Sequence, residues 1–209
     1  ISLLAGRQYT DRGATKENFL KLLNQYPVIH LATHAVADMK DPDASYIAFY
    51  PASGMRAEDF LFLGELYGLR MDSCKLVVIS ACETGKGRLI SNEGVMSFAR
   101  AFLYAGCPST VNSLWKADDR STSEILKLFH NYLLRGYSKS KALQQAKLDF
   151  IQQNPLYRNP AYWSQLILTG NANALYKKKQ PWGWAVLGIC CCSAVFFVWK
   201  KRKKSRRFP

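Results

Sequence analysis

Leu76-Val77-Val78-Ile79-Ser80-Ala81 runs straight into Cys82, and Val28-Ile29-His30-Leu31-Ala32-Thr33 runs into His34. Each run is short, β-branched and almost without polar alternation. That is the pattern of a strand covered on both faces, as in a parallel sheet. In open α/β sheets, ligands bind beyond the carboxyl ends of the strands. A His and a Cys delivered to that edge by two different strands are placed to act as base and nucleophile.

The rest of the chain supports an alternating α/β order. Thr15 opens a helical pattern through Phe19, Leu20, Leu22 and Leu23, and Pro27 punctuates its end. Short strands are expected at 46–50 and 60–63, with a short helix at 65–69 and a loop over 38–43. After the Gly-rich turn at 84–87, a helix capped by Asn92 is expected to run to about Tyr104, with Gly106 as its stop. Strand 109–115 follows. Asp118 or Asp119 caps a helix ending at Gly136, Ser138 opens another, and strand 164–169 leads to Gly170. Such alternation implies a mostly parallel sheet with helices on both faces.

Charge divides the chain. Residues 1–176 carry 19 Lys+Arg and 15 Asp+Glu, a net of +4, whereas residues 177–209 carry 10 Lys+Arg and no acid. The globular part is therefore only mildly basic and gives no reason to expect nucleic acid as a partner. The basic excess brackets Trp182–Trp199, 18 residues without a charge and with Trp182, Trp184 and Trp199 at the ends. As a helix this stretch spans roughly 27 Å, close to the apolar thickness of a bilayer. The expected organisation is a domain over 1–173, a basic linker over 174–181, a single C-terminal transmembrane helix over 182–199 and a basic tail over 200–209. Seven basic residues after the span against three before it favour a cytoplasmic tail and an extracytoplasmic domain. The chain opens on Ile1 rather than Met, so it reads as the C-terminal part of a longer protein.

No metal or cofactor is expected. The six cysteines show no paired Cys-x-x-Cys spacing for zinc. Along a strand, His30 and His34 stand about 13 Å apart, too far to share one ion. His30 therefore reads as structural, and His130 as a surface or packing residue. Thr84-Gly85-Lys86-Gly87 lacks the spacing of a phosphate loop. Asp38 and the Trp115–Asp119 segment fall at the same edge as His34 and Cys82. Asp38, Trp115, Asp118 and Asp119 are thus candidates for binding a substrate, with a helix cap and a packed Trp as the plainer reading of the second group.

Several strings in order resemble one family. They are His30-Leu31-Ala32-Thr33-His34-Ala35-x-Ala37-Asp38 and Val77-Val78-Ile79-Ser80-Ala81-Cys82-Glu83-Thr84-Gly85-x-Gly87, followed by Asn92-Glu93-Gly94 and Phe98-Ala99-Arg100-Ala101-Phe102. Ala105-Gly106, Ser113-Leu114-Trp115 with Asp118, Pro160-Ala161-Tyr162-Trp163 and Leu168-Thr169-Gly170 complete the set. From about residue 10 to 173 the chain resembles the CHAT domain, a branch of the caspase-like cysteine peptidases. The resemblance implies a caspase-like α/β/α sandwich with a mostly parallel central sheet and a His34–Cys82 dyad. It further implies backbone N–H groups of Ala35 and Cys82 for the oxyanion, although many relatives carry Gly where Ala35 stands. It also implies a protein substrate and helical repeats upstream in the same chain. The expected activity is that of a cysteine endopeptidase; the alternative is a catalytically silent scaffold or signalling module on the same fold.

Overall fold

The computed structural model describes residues 6–38, 40–51, 54–80, 88–90, 94–115 and 118–176, with the backbone alone for 88–90 and 94–96. The chain divides into two compact units, Ile1–Lys177 and Lys178–Pro209. The described residues all belong to the first. The expected membrane span at 182–199 and the tail at 200–209 lie outside them, and among the described residues no helix is long and apolar enough to cross a membrane.

In chain order the first unit holds α1 (Lys16–Leu22), β1 (Val28–Leu31), β2 (Ala35–Val36), β3 (Tyr46–Ala48), β4 (Phe60–Phe62), α2 (Leu63–Tyr67) and β5 (Leu76–Ile79). It continues with β6 (Arg88–Ile90), β7 (Gly94–Met96), α3 (Phe98–Tyr104), β8 (Ser109–Ser113), α4 (Asp119–Leu134), α5 (Lys139–Gln153) and β9 (Leu166–Gly170). The main sheet has the order β1-β5-β8-β9. The first three strands are parallel, and β9 returns antiparallel to β8.

β5 explains the layering. All four of its side chains are closed to solvent. Successive residues of a strand face opposite sides, so Val77 and Ile79 pack with Phe19, Leu63, Leu66, Phe98 and Phe102 on one face. Leu76 and Val78 pack with Ile125, Phe129, Leu143 and Phe150 on the other. Burying each such side chain contributes about 1.5–3 kcal/mol. The apolar run is continuous because helices cover both faces, α1, α2 and α3 on one and α4 and α5 on the other.

The helix starts follow the expected capping chemistry. Thr15, Asp118 and Ser138 accept the backbone N–H of Asn18, Ser121 and Lys141. Lys16 ties α1 to α2, with Nζ 2.7 and 2.9 Å from the two carboxylate oxygens of Glu65 and 2.8 Å from the carbonyl of Phe60.

One expectation is corrected. No helix runs from Asn92 to Tyr104: β6 and β7 form an antiparallel pair, with Leu89 opposite Val95. The helix begins only at Phe98, where the Ser97 hydroxyl accepts the N–H of Arg100. Strand-favouring Leu89, Ile90 and Val95 outweigh the weak cap signal at 92, and Ser97 supplies a competent cap closer to the buried Phe98 and Phe102. At the other end, Ala174 is bridged to Ser138, so the expected 174–181 linker starts inside the first unit.

Candidate active site

β1 and β5 run side by side from Val28↔Leu76 to Leu31↔Ile79. One further bond, from the N–H of Ser80 to the carbonyl of Leu31 at 2.9 Å, extends their ladder beyond Ile79. The chain leading to His34 and the chain leading to Cys82 therefore reach the carboxyl edge as neighbours. Cys82 itself, with the loop through Gly87, lies outside the described residues.

His34 is held through its backbone, with an exposed side chain. Three residues after β1 the chain enters a small antiparallel sheet of order β2-β3-β4. The N–H of Ala48 donates to the carbonyl of His34 at 2.8 Å, and the Thr33 hydroxyl donates to the carbonyl of Ala48 at 2.5 Å. Ala48 thus grips the 33–34 segment with both its peptide groups. The register pairs Ala35 with Ile47. Given the bond from Ala48 to His34, this is the non-hydrogen-bonded kind of antiparallel pair, in which the N–H groups point away from the partner strand. The Ala35 N–H is therefore directed away from β3.

The remaining candidates separate by what already occupies them. Trp115 follows β8 at the same carboxyl edge, half-buried, and its indole N–H donates to the carbonyl of Ala161 at 3.2 Å. Asp118 is the N-cap of α4: one carboxylate oxygen accepts from Ser121 N–H at 2.8 Å and from the Ser121 hydroxyl at 2.7 Å. Those two bonds, the backbone one foremost, hold its pKa below the ordinary Asp value. Asp119 stands exposed in the first turn of α4. Asp38 is likewise occupied locally, its Oδ1 accepting the N–H of Lys40 at 2.7 Å and of Asp41 at 2.9 Å. These backbone donors, Asp41 first, lower its pKa as well. The capping role accounts for Asp118 and a loop-closing role for Asp38; Trp115 and Asp119 remain at the edge.

Sequence reasoning missed the contacts just below this edge. His30 Nε2 lies 3.0 Å from the Ser80 hydroxyl, a side-chain link between β1 and the segment that continues toward Cys82. The His130 ring of α4 stands 5.5 Å from that of His30. His130 is buried, and neither ring nitrogen has a hydrogen-bond partner among the described residues. Burial pushes the His130 imidazole down to about 4, so it is neutral at neutral pH. His130 is thus a packing residue, not a surface one. Thr33 and Ser80 carried a faint signal, as hydroxyls within two residues of His34 and Cys82. The His30–His130 approach carried none, because one hundred residues separate the partners.

Two kinds of relative bear on this geometry. Tetratricopeptide repeat protein 28 of Mus musculus is 26% identical over 207 residues, covering 84% of this chain. Its Homo sapiens counterpart is 26% identical over 206 residues. The chain spans only 8% of the length of either. Among solved structures, the Arg-specific cysteine proteinase gingipain R superposes with a TM-score of 0.50 at 11% identity, over 79% of this chain and 37% of that one. The complex of Porphyromonas gingivalis RgpB pro- and mature domains gives the same score at 13% identity, over 79% and 38%. At such identities the likeness is one of fold, and it agrees with the mixed α/β architecture and mostly parallel sheet. The sequence profile of the CHAT domain matches residues 2–171, and the chain belongs to that family.

Proposed function

We propose that this chain is the peptidase portion of a membrane-anchored cysteine endopeptidase, with His34 as base and Cys82 as nucleophile. The observation that carries the reading is the exposed imidazole of His34 at the carboxyl edge of β1, beside the strand whose next residues lead to Cys82. The sulfur attacks the substrate's carbonyl carbon while the imidazole takes the thiol proton and later returns it to the leaving amine. The Ala35 N–H, with that of Cys82, is suited to the oxyanion; one such donor contributes about 10²–10³ in rate. Ala in place of the Gly of many relatives keeps this donor, since only the backbone is used.

The substrate is a protein, bound along the edge that includes Trp115 and Asp119. Tandem helical repeats upstream in the same chain regulate access; the name of the curated relatives supports that arrangement. The stretch 182–199 anchors the chain in a membrane, with the tail in the cytoplasm and the domain outside it. Protease protection of the domain in intact cells would reverse that orientation.

The test compares newly formed protein N-termini in cells carrying the full-length protein, Cys82→Ala or His34→Ala. The expected outcome is a set of cleavages present with the native protein and lost in both variants. Identical N-termini in all three would overturn the proposal and leave the scaffold reading.

A further inference from the structure

Away from the candidate site, two thiols meet at the opposite end of the same strands. Cys74 and Cys107 are free and wholly closed to solvent. The parallel register sets Val77 against Thr110. Carried three residues back, it sets Cys74 beside Cys107, just before β5 and just before β8. The sulfurs are already in contact at 3.5 Å.

The surroundings make the two thiols unequal. Cys107 has its pKa lowered, first by the hydrogen bond with Cys74, with a smaller contribution from the charge of Lys139. Lys139 is itself buried, its Nζ donating to the carbonyl of Asn171 at 3.0 Å. Cys74 is pushed up, first by the same hydrogen bond and then by burial. Cys107 Sγ donates to Cys74 Sγ and lies 3.3 Å from the carbonyl of Ser109, and it is the more acidic thiol of the two.

We propose that Cys74 and Cys107 form a redox-active dithiol that hydrogen peroxide oxidises to a disulfide, a covalent staple across the amino ends of β5 and β8. Once its proton has passed to solvent, the Cys107 sulfur attacks one peroxide oxygen: an S–O bond forms, the O–O bond breaks, and the departing hydroxide takes the Cys74 proton to become water. The Cys74 thiolate then attacks the sulfenic sulfur of Cys107. The S–S bond forms, the S–O bond breaks, and hydroxide leaves to be protonated by solvent. Each sulfur loses one electron and the peroxide gains two; a small thiol reverses the change. The inference does not depend on the peptidase reading.

The test treats the native full-length chain with hydrogen peroxide, then denatures it and alkylates the remaining thiols. Non-reducing digestion and mass spectrometry follow. The expected result is loss of alkylation at both Cys74 and Cys107, with a linked peptide two hydrogens lighter than its halves that dithiothreitol abolishes. Undiminished alkylation of both residues would overturn the proposal. So would a Cys74–Cys107 link that forms only when peroxide is added in urea. Mapping the native chain needs no substitution, so the outcome does not hang on whether Cys107→Ala folds.

Discussion

The carbonyl of His34 accepts the N–H of Ala48 at 2.8 Å, so the residue offered as base is positioned by a strand of a separate sheet rather than by β1. The same Ala48 takes the hydroxyl of Thr33 on its carbonyl. Removing half of this grip tests its importance. In Thr33→Val the rate of covalent labelling of Cys82 by a thiol-reactive peptide ketone is expected to fall about tenfold, with the binding of the probe little changed. Such a split is the signature of lost alignment rather than lost affinity. Thr33→Ser restores the hydroxyl and is expected to recover most of the rate; a Ser variant as slow as Val would show that the hydroxyl bond to Ala48 does not account for the effect.

His130 links the interior to acid. Unfolded, its imidazole takes a proton near pH 6.5; folded, burial delays this to about 4. Above pH 6.5 both states are neutral and the residue contributes no pH dependence. As pH falls from 6.5 toward 4 the unfolded chain gains protons first, and stability is lost by on the order of 2–3 kcal/mol. His130→Phe is expected to flatten this part of the curve, seen as a smaller difference between urea midpoints at pH 7 and pH 4.5.

Gly170 cannot accept a side chain. Its φ is +91°, and a Cβ there would stand 2.3 Å from the carbonyl oxygen of Pro108. The N–H of Asn171 donates to that same oxygen at 2.8 Å, so the backbone has little room to withdraw. Gly170→Ala is expected to cost about 2–4 kcal/mol, by strain together with loss of the end of β9. Equilibrium unfolding in urea measures it.

Asp118 makes a prediction of its own as a cap. Asp118→Ala removes acceptors from both the N–H and the hydroxyl of Ser121, and about 1 kcal/mol of stability should go with them. Asp118→Asn keeps most of it, since the amide oxygen also caps. The charged form is the favoured one in the fold. Its contribution is present above the ordinary Asp pKa of 3.8 and is lost as pH drops through the lower folded value. The measurement is the difference in urea midpoint between the native chain and each variant from pH 7 to pH 3.

Much of the architecture was legible locally. Leu76–Ile79 announces a strand covered on both sides because four consecutive apolar residues leave no face for water. Thr15, Asp118 and Ser138 announce helix starts because a cap satisfies an N–H only three residues away. The direction of β9 was not legible, since a run of Leu, Ile and Thr reads alike in either sense and only the return path through α5 decides it. The strand at 94–96 reads as helix in the sequence because a cap signal at one residue says nothing of a partner strand.

Sequence alone thus determined most strands of the main sheet and the capped helices, and that two of those strands lead toward a His and a Cys. Both follow from periodicity and capping within a few residues. Tertiary structure alone decided that Ala48 holds His34, that His130 lies against His30 and that Cys74 touches Cys107. Those meetings depend on how segments 14 to 100 residues apart in the chain pack together, and no local pattern records the identity of a distant neighbour.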